Sequence, residues 1–103
     1  MKTEQLAEQN QIDEHDLTEA LHYGTHNPSH GQQIGLTIID DQSERDKQEW
    51  TIACVFELNG KRYGYYRDGA QTVLDELDDE KTVAEWAAKW DVEHIPDLLA
   101  ATL

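Results

Sequence analysis

The sequence predicts an α+β domain: a three-stranded antiparallel sheet with helices, in the order α-β-β-β-α-α along the chain. Two observations predict this class. Residues 50–67 have the alternation and the turn of a β-hairpin, and the segments on either side carry apolar residues at helical spacing. With 103 residues, 38% of them hydrophobic, the chain suits one core. We therefore expect a single domain over residues 12–103, preceded by a flexible segment or frayed helix at residues 1–11.

The hairpin is the best-specified element of the chain. Apolar residues alternate with more polar ones up to Leu58, and Asn59-Gly60 supplies two residues that tolerate positive φ, as a type I′ turn requires. Such a turn fixes the register of the two strands. The expected cross-strand pairs are Leu58–Lys61, Glu57–Arg62, Phe56–Tyr63 and Cys54–Tyr65. Tyr66 then lies on the opposite face of the sheet, which another helix, a second subunit or a partner could cover.

A helix and a strand are predicted before the hairpin. Asp13 suits the N-cap of a helix at residues 14–23. Turn-forming residues fill Thr25–Gln33, and apolar residues then alternate over Ile34–Asp40, which predicts the first strand. The connection Asp41–Lys47 is so rich in charge that we expect it to stay exposed.

Helices are predicted after the hairpin. From Ala70 to Leu77, apolar residues recur at i, i+3, i+4 and i+7, which is typical of a helix face. A second apolar stripe predicts another helix with Thr82 as its N-cap, and a last short helix contains Ile95. The predicted core is apolar throughout: Leu17, Leu21, Leu36, Ile38, Ile52, Cys54, Phe56, Tyr63, Tyr65, Val73, Leu74, Leu77, Val83, Trp86, Trp90, Ile95 and Leu98.

The chain is strongly acidic, with 22 Asp and Glu against 8 Lys and Arg and a net charge of −14. A surface of this charge repels phosphate backbones and anionic membranes, so it favours a basic partner or simple solubility. We expect no direct nucleic-acid binding. No apolar run approaches the ~20 residues of a membrane span, and the N-terminus lacks the apolar stretch of a secretory signal. A cytoplasmic protein is therefore expected.

Carboxylates are densest at residues 75–80, where five of six positions are Asp or Glu. Spaced along helices, such groups can imitate a nucleic-acid backbone, although they can also be only a solvated face. The predicted partner-binding residues are Asp75, Glu76, Asp78, Asp79, Glu80 and Tyr66. The chain is then interpreted as a small non-enzymatic interaction protein, for example an inhibitor or nucleic-acid mimic, that engages a basic protein through its C-terminal helices.

Three histidines support an alternative function. His22, His26 and His30 are spaced by four residues, so a metal- or small-ligand-binding domain could use this loop. Because Gly24 and Pro28 interrupt a continuous helix, the imidazoles lack a preformed geometry, and we predict no metal and no cofactor. A homo-oligomeric domain, such as a homodimer, is a further alternative. No nucleophile motif or phosphate-binding glycine loop is present, so we predict no enzyme activity.

Overall fold

The computed structural model describes residues 1–23, 28–45, 50–69 and 71–88. Its helices and strands follow one another in the order α1 Thr3–Gln9, α2 Glu14–Tyr23, α3 Pro28–Ile34, β1 Leu36–Asp41, β2 Ile52–Leu58, β3 Lys61–Arg67, β4 Thr72–Leu77 and α4 Val83–Ala87. The strands form one antiparallel sheet in the order β1-β2-β3-β4. The predicted α+β class is confirmed. The predicted number of strands is wrong, because the described residues form four.

The fourth strand occupies a segment for which the sequence predicts a helix. β4 pairs with β3 from Arg62–Leu77 to Arg67–Thr72, and it supplies partners for backbone groups of β3 that would otherwise be unpaired. In a strand, residues three apart lie on opposite faces. Leu74 therefore enters the core on one side of the sheet and Leu77 the core on the other. A spacing that is typical of one helix face thus also suits a strand that is covered on both sides.

The hairpin has the predicted register. Asn59 and Gly60 have φ values of 51° and 85°, as the type I′ turn requires. The four predicted pairs, Leu58–Lys61, Glu57–Arg62, Phe56–Tyr63 and Cys54–Tyr65, are all present. The rings of Phe56 and Tyr63 stack with their centroids 5.4 Å apart.

Two cores lie on opposite faces of the sheet. In the first core, α1 and α2 cover the face that carries Cys54, Phe56 and Tyr65. Residues 1–11, expected to be flexible or a frayed helix, include α1, which buries Leu6 and Ala7 in this core. The second core lies under α4, and its buried members are Ala53, Val55, Tyr66, Leu77, Val83, Trp86 and Ala87.

Trp86 anchors α4 to the sheet through a contact that requires a glycine. A Cβ atom on Gly64 would lie 2.5 Å from Cδ2 of Trp86, so the indole packs directly on the backbone of β3. The side chain of Trp86 is almost fully buried, as predicted. The other C-terminal core predictions, Trp90, Ile95 and Leu98, lie outside the described residues.

Side chains cap the N-termini of α2 and α4 at the residues that the sequence predicts. Oδ1 of Asp13 accepts hydrogen bonds from the backbone N–H groups of His15 (2.8 Å) and Asp16 (3.3 Å) at the start of α2. Oγ1 of Thr82 accepts one from Glu85 (3.1 Å) at the start of α4. The sequence predicts turns over Thr25–Gln33 and a strand from Ile34, but residues 28–34 form α3, and β1 begins at Leu36. The first residue of α3 is a proline, which is common at this position of a helix.

Candidate interaction surface

The acidic run at residues 75–80 does not lie on a helix. Asp75 and Glu76 belong to β4, and the other three carboxylates lie in the connection between β4 and α4. The prediction that these residues form a helical surface is therefore wrong. The reason is the one given for β4: pairing with β3 overrides the helical spacing.

Two of the five carboxylates serve the fold. Oδ2 of Asp75 accepts a hydrogen bond of 3.1 Å from Nε1 of Trp86 and so holds the indole over β3. Glu80 is only 6% exposed, and its Oε2 accepts a 3.1 Å hydrogen bond from the backbone N–H of Asp78. These two side chains hold α4 and the turn before it in place, so their carboxylates are already engaged within the chain.

The other three carboxylates, those of Glu76, Asp78 and Asp79, are exposed, and we call them the acidic corner. Oε1 of Glu76 lies 3.9 Å from Nζ of Lys61, with both side chains more than half exposed. A solvated pair at this distance contributes little and can exchange partners. The acidic corner therefore places exposed carboxylates on one rim of the sheet, beside the helix that Asp75 and Glu80 hold.

Tyr66 is the predicted contact residue that the structure places out of reach. Its side chain is fully buried in the second core, and its hydroxyl donates a 2.7 Å hydrogen bond to Oδ2 of Asp68. The sequence suggested that a helix, a second subunit or a partner could cover this face, and in the structure the helix α4 covers it. Tyr66 thus packs inside the domain and presents no surface to a partner.

Only one of the three candidate metal-binding histidines has a described side chain. His22 lies in the last turn of α2, with Nε2 3.1 Å from the hydroxyl of Tyr65. His26 and the side chain of His30 lie outside the described part of the chain. Within that part, no three His, Cys, Asp or Glu side chains are grouped as metal ligands would be. The absence of a metal site remains a prediction.

A buried ion pair lies beside His22 that the sequence did not predict. Nη1 of Arg45 donates to Oδ2 of Asp41 (3.1 Å), and Nε donates to the backbone carbonyl of His22 (2.7 Å). The two side chains are only 11% and 10% exposed. Arg45 thus ties the end of α2 to the end of β1. The expectation that this charged connection stays exposed is wrong for these two residues, because their charges are paired and the carbonyl of His22 accepts from Nε of Arg45 inside the fold.

Burial and charge set the ionisation of the groups around this pair. Burial, together with the positive charges of Arg67 and Arg45, lowers the pKa of His22. Burial also raises the pKa of Tyr65 to about 12, so its hydroxyl, 3.1 Å from Nε2 of His22, stays protonated. The thiol of Cys54 is fully buried, and burial raises its pKa as well, so it stays protonated. The arrangement favours a neutral His22 and an unreactive thiol.

An open depression of about 250 Å³ lies between the end of β1 and the start of α4. Asp40, one of its lining residues, is already engaged, because Oδ2 accepts from the backbone N–H of Val83 (2.8 Å) and Oδ1 from Nε2 of Gln42 (3.1 Å). The carboxylate of Asp40 therefore fastens α4 to the sheet.

The chain matches no family model, and no curated protein or solved structure is significantly similar to it. Among the described residues, no helix is both long enough and apolar enough to cross a bilayer.

Proposed function

We propose that this protein is a small acidic interaction protein that binds a basic protein partner through the acidic corner. The observation that carries the proposal is that some carboxylates of the acidic run are engaged within the fold and others are exposed. Asp75 and Glu80 are engaged inside the domain, whereas Glu76, Asp78 and Asp79 are exposed next to them. The exposed carboxylates are thereby presented from a supported strand and turn.

The net charge supports the choice of a basic partner. At −14, the chain attracts lysine- and arginine-rich surfaces and repels anionic ones. Complementary charge of this kind acts mainly on the rate of association and on the choice of partner. One form of this function is inhibition of a nucleic-acid-binding protein, in which the carboxylates occupy the basic site that phosphate groups would use.

The test compares two variants of equal charge. In the first, Glu76→Gln, Asp78→Asn and Asp79→Asn remove the acidic corner. In the matched control, Glu4→Gln, Glu8→Gln and Asp16→Asn remove three exposed charges from α1 and α2. Each protein is immobilised, exposed to lysate of the source organism at low and high salt, and the captured proteins are quantified by mass spectrometry.

We expect the wild type and the control variant to capture the same basic protein at low salt, and the acidic-corner variant to lose it. Since the Debye length is about 8 Å at 0.15 M salt and about 3 Å at 1 M, high salt should release the partner from the wild type and from the control variant. Equal capture by both variants, or capture that salt does not affect, would contradict the proposal.

A further inference from the structure

One end of the sheet brings two arginines near His22: Arg45, which is paired with Asp41, and Arg67, which has no carboxylate partner among the described residues. Arg67 follows Tyr65 by two positions on β3, so their side chains lie on the same face of the sheet, the one that α2 covers. The hydroxyl of Tyr65 contacts Nε2 of His22 at 3.1 Å. The guanidinium groups of Arg67 and Arg45 both lie close enough to His22 to oppose its protonation.

The two guanidinium groups have unused hydrogen-bond donors. Arg67 is exposed, and no carboxylate in the described part of the chain lies within ion-pair distance of it. Arg45 uses Nε and Nη1, but its buried Nη2 has no acceptor among the described residues. A buried donor without an acceptor, such as Nη2 of Arg45, is rare in folded proteins and often marks the place of a water or an ion. Nε of Arg62, at the other end of β3, is a second buried donor without an acceptor, but that arginine is paired with Glu57, whereas Arg67 has no carboxylate partner among the described residues.

An aromatic pair borders the same end of the sheet. Tyr23, the last residue of α2, is 42% exposed and packs edge-on against Trp50 with ring centroids 5.4 Å apart. The ring of Tyr23 also lies next to that of His22, at 6.4 Å between centroids. Tyr23 therefore places an exposed apolar surface beside the basic residues, which suits the organic part of a small ligand.

We propose that Arg67, His22 and Arg45 form a binding site for a small oxyanion, a carboxylate or phosphate group, with Tyr23 and Trp50 as its apolar wall. Arg67 makes the direct contact, because its exposed guanidinium can donate two parallel hydrogen bonds to such a group. Arg45 is paired with Asp41 and positions the end of α2 through its hydrogen bond to the carbonyl of His22. The imidazole of His22 lies against Tyr65, on the face of the sheet that also carries Arg67, and becomes easier to protonate when an anion arrives. This site is independent of the acidic corner and serves a ligand of the opposite charge.

The net charge of the protein does not forbid this site. Charges further away than about 8 Å are largely screened at physiological salt, so the carboxylates of the acidic corner have little effect on Arg67. The nearby carboxylate of Asp41 is already paired with Arg45. The acidic corner lies at the C-terminal end of β4 and in the turn that follows, whereas Arg67 pairs with Thr72 at the beginning of β4. The two surfaces are thus at opposite ends of the same strand.

The experiment titrates the ¹⁵N-labelled protein with inorganic phosphate in one arm and with acetate in the other, and follows the resonances of His22, Tyr65 and the Arg67 Nε–H group by NMR. Arg67→Gln removes the direct contact, and Lys61→Gln is the matched control, because it removes one exposed charge from the other end of β3. Both residues are exposed, so both variants should keep the fold, which their spectra show directly.

We expect saturable shifts in the wild type and in the Lys61→Gln variant, and an affinity at least about tenfold weaker in Arg67→Gln, as for the loss of hydrogen bonds to a charged group. The arm that saturates at the lower concentration identifies the preferred oxyanion. At saturation the pKa of His22, measured in the same spectra, should rise because the anion offsets the two guanidinium charges. Shifts that do not saturate in either arm, or that weaken equally in both variants, would overturn the proposal.

Discussion

The contact between Gly64 and Trp86 allows a sharp test of how α4 is held on the sheet. In the Gly64→Ala variant, the new methyl carbon would lie 2.5 Å from Cδ2 and 2.7 Å from Cε2 and Cε3 of the indole. Carbon atoms in comfortable contact are about 3.5–4.0 Å apart, so the ring would have to move by about 1 Å. Nε1 of the indole donates a hydrogen bond to Asp75, and the backbone N–H of Val83 at the start of α4 donates one to Asp40. The ring therefore has little freedom to move.

Overpacking of this kind typically costs about 1–3 kcal/mol, and we expect Gly64→Ala to lower the free energy of unfolding by about 2 kcal/mol. In a Trp86→Ala background the same change should reverse its sign. The clash is then gone, and alanine is favoured over glycine within a strand by about 0.5–1 kcal/mol. The interaction energy of the double-mutant cycle should therefore be about 2–3 kcal/mol.

The four proteins of this cycle are compared by urea unfolding, followed by far-UV circular dichroism. Trp86→Ala alone should cost about 3–5 kcal/mol, a large part of the stability of a domain this small. If that variant does not fold, Trp86→Leu, which also removes the ring, takes its place in the cycle. A Gly64→Ala cost that is the same with and without the indole would refute the reasoning.

Three further predictions concern the ion pair, the histidine and the hairpin turn. Arg45→Ala should lower the free energy of unfolding by about 3 kcal/mol, because it removes the cation 3.1 Å from the largely buried carboxylate of Asp41 and the donor to the carbonyl of His22. Replacing both by Arg45→Met and Asp41→Leu should cost less, and urea unfolding that ranks the two the other way would contradict this. Because the pKa of His22 is lowered in the folded state, the unfolded chain binds a proton more readily than the folded one. The contribution of His22 to stability is therefore complete above its ordinary pKa of 6.5, and it is lost as the pH falls through the lowered pKa of the folded state. The difference in stability between wild type and His22→Gln should shrink over that window, and a difference that grows on acidification would count against it. Gly60→Val should cost more than about 1 kcal/mol, since a β-branched residue resists a φ of 85°, whereas thermal unfolding with an unchanged midpoint would show that the turn tolerates it.

Local signals in the sequence were sufficient where structure depends on neighbouring residues. The hairpin register follows from Asn59-Gly60 alone, and the caps at Asp13 and Thr82 follow from side chains that reach only two or three residues along the chain. These interactions need no knowledge of the rest of the fold, and all of them were predicted.

The predictions that were wrong depend on contacts between distant residues. The segment of β4 has a helical spacing, and only the pairing with β3 and the cover on both faces make it a strand. The burial of Arg45 depends on a carbonyl group of His22, 23 residues away. Tyr66 was expected to contact a partner because the sequence does not show that α4 packs over its face of the sheet.

The candidate site was predictable only in composition. The sequence showed that residues 75–80 are acidic, but it could not separate Asp75 and Glu80, which are engaged within the fold, from the exposed residues of the acidic corner. The basic end of the sheet was missed altogether, because His22, Arg45 and Arg67 are far apart in the chain and meet only through packing of α2 on the sheet.

The irregular pairing of β1 has a consequence for how molecules of this protein behave towards one another. Ile38 pairs with Phe56 and Asp40 with Val55, so Ile39 is an extra residue that the ladder does not use. Strands at the border of a sheet can recruit strands from other molecules, and a bulge is one of the features that prevent this. Ile39 is 38% exposed, so it is not kept for the core. A chain that lacked Ile39 could keep the pairing of Asp40 with Val55 and of Asp41 with Cys54, yet it would expose a straight border strand. We expect such a chain to self-associate more readily than the natural one.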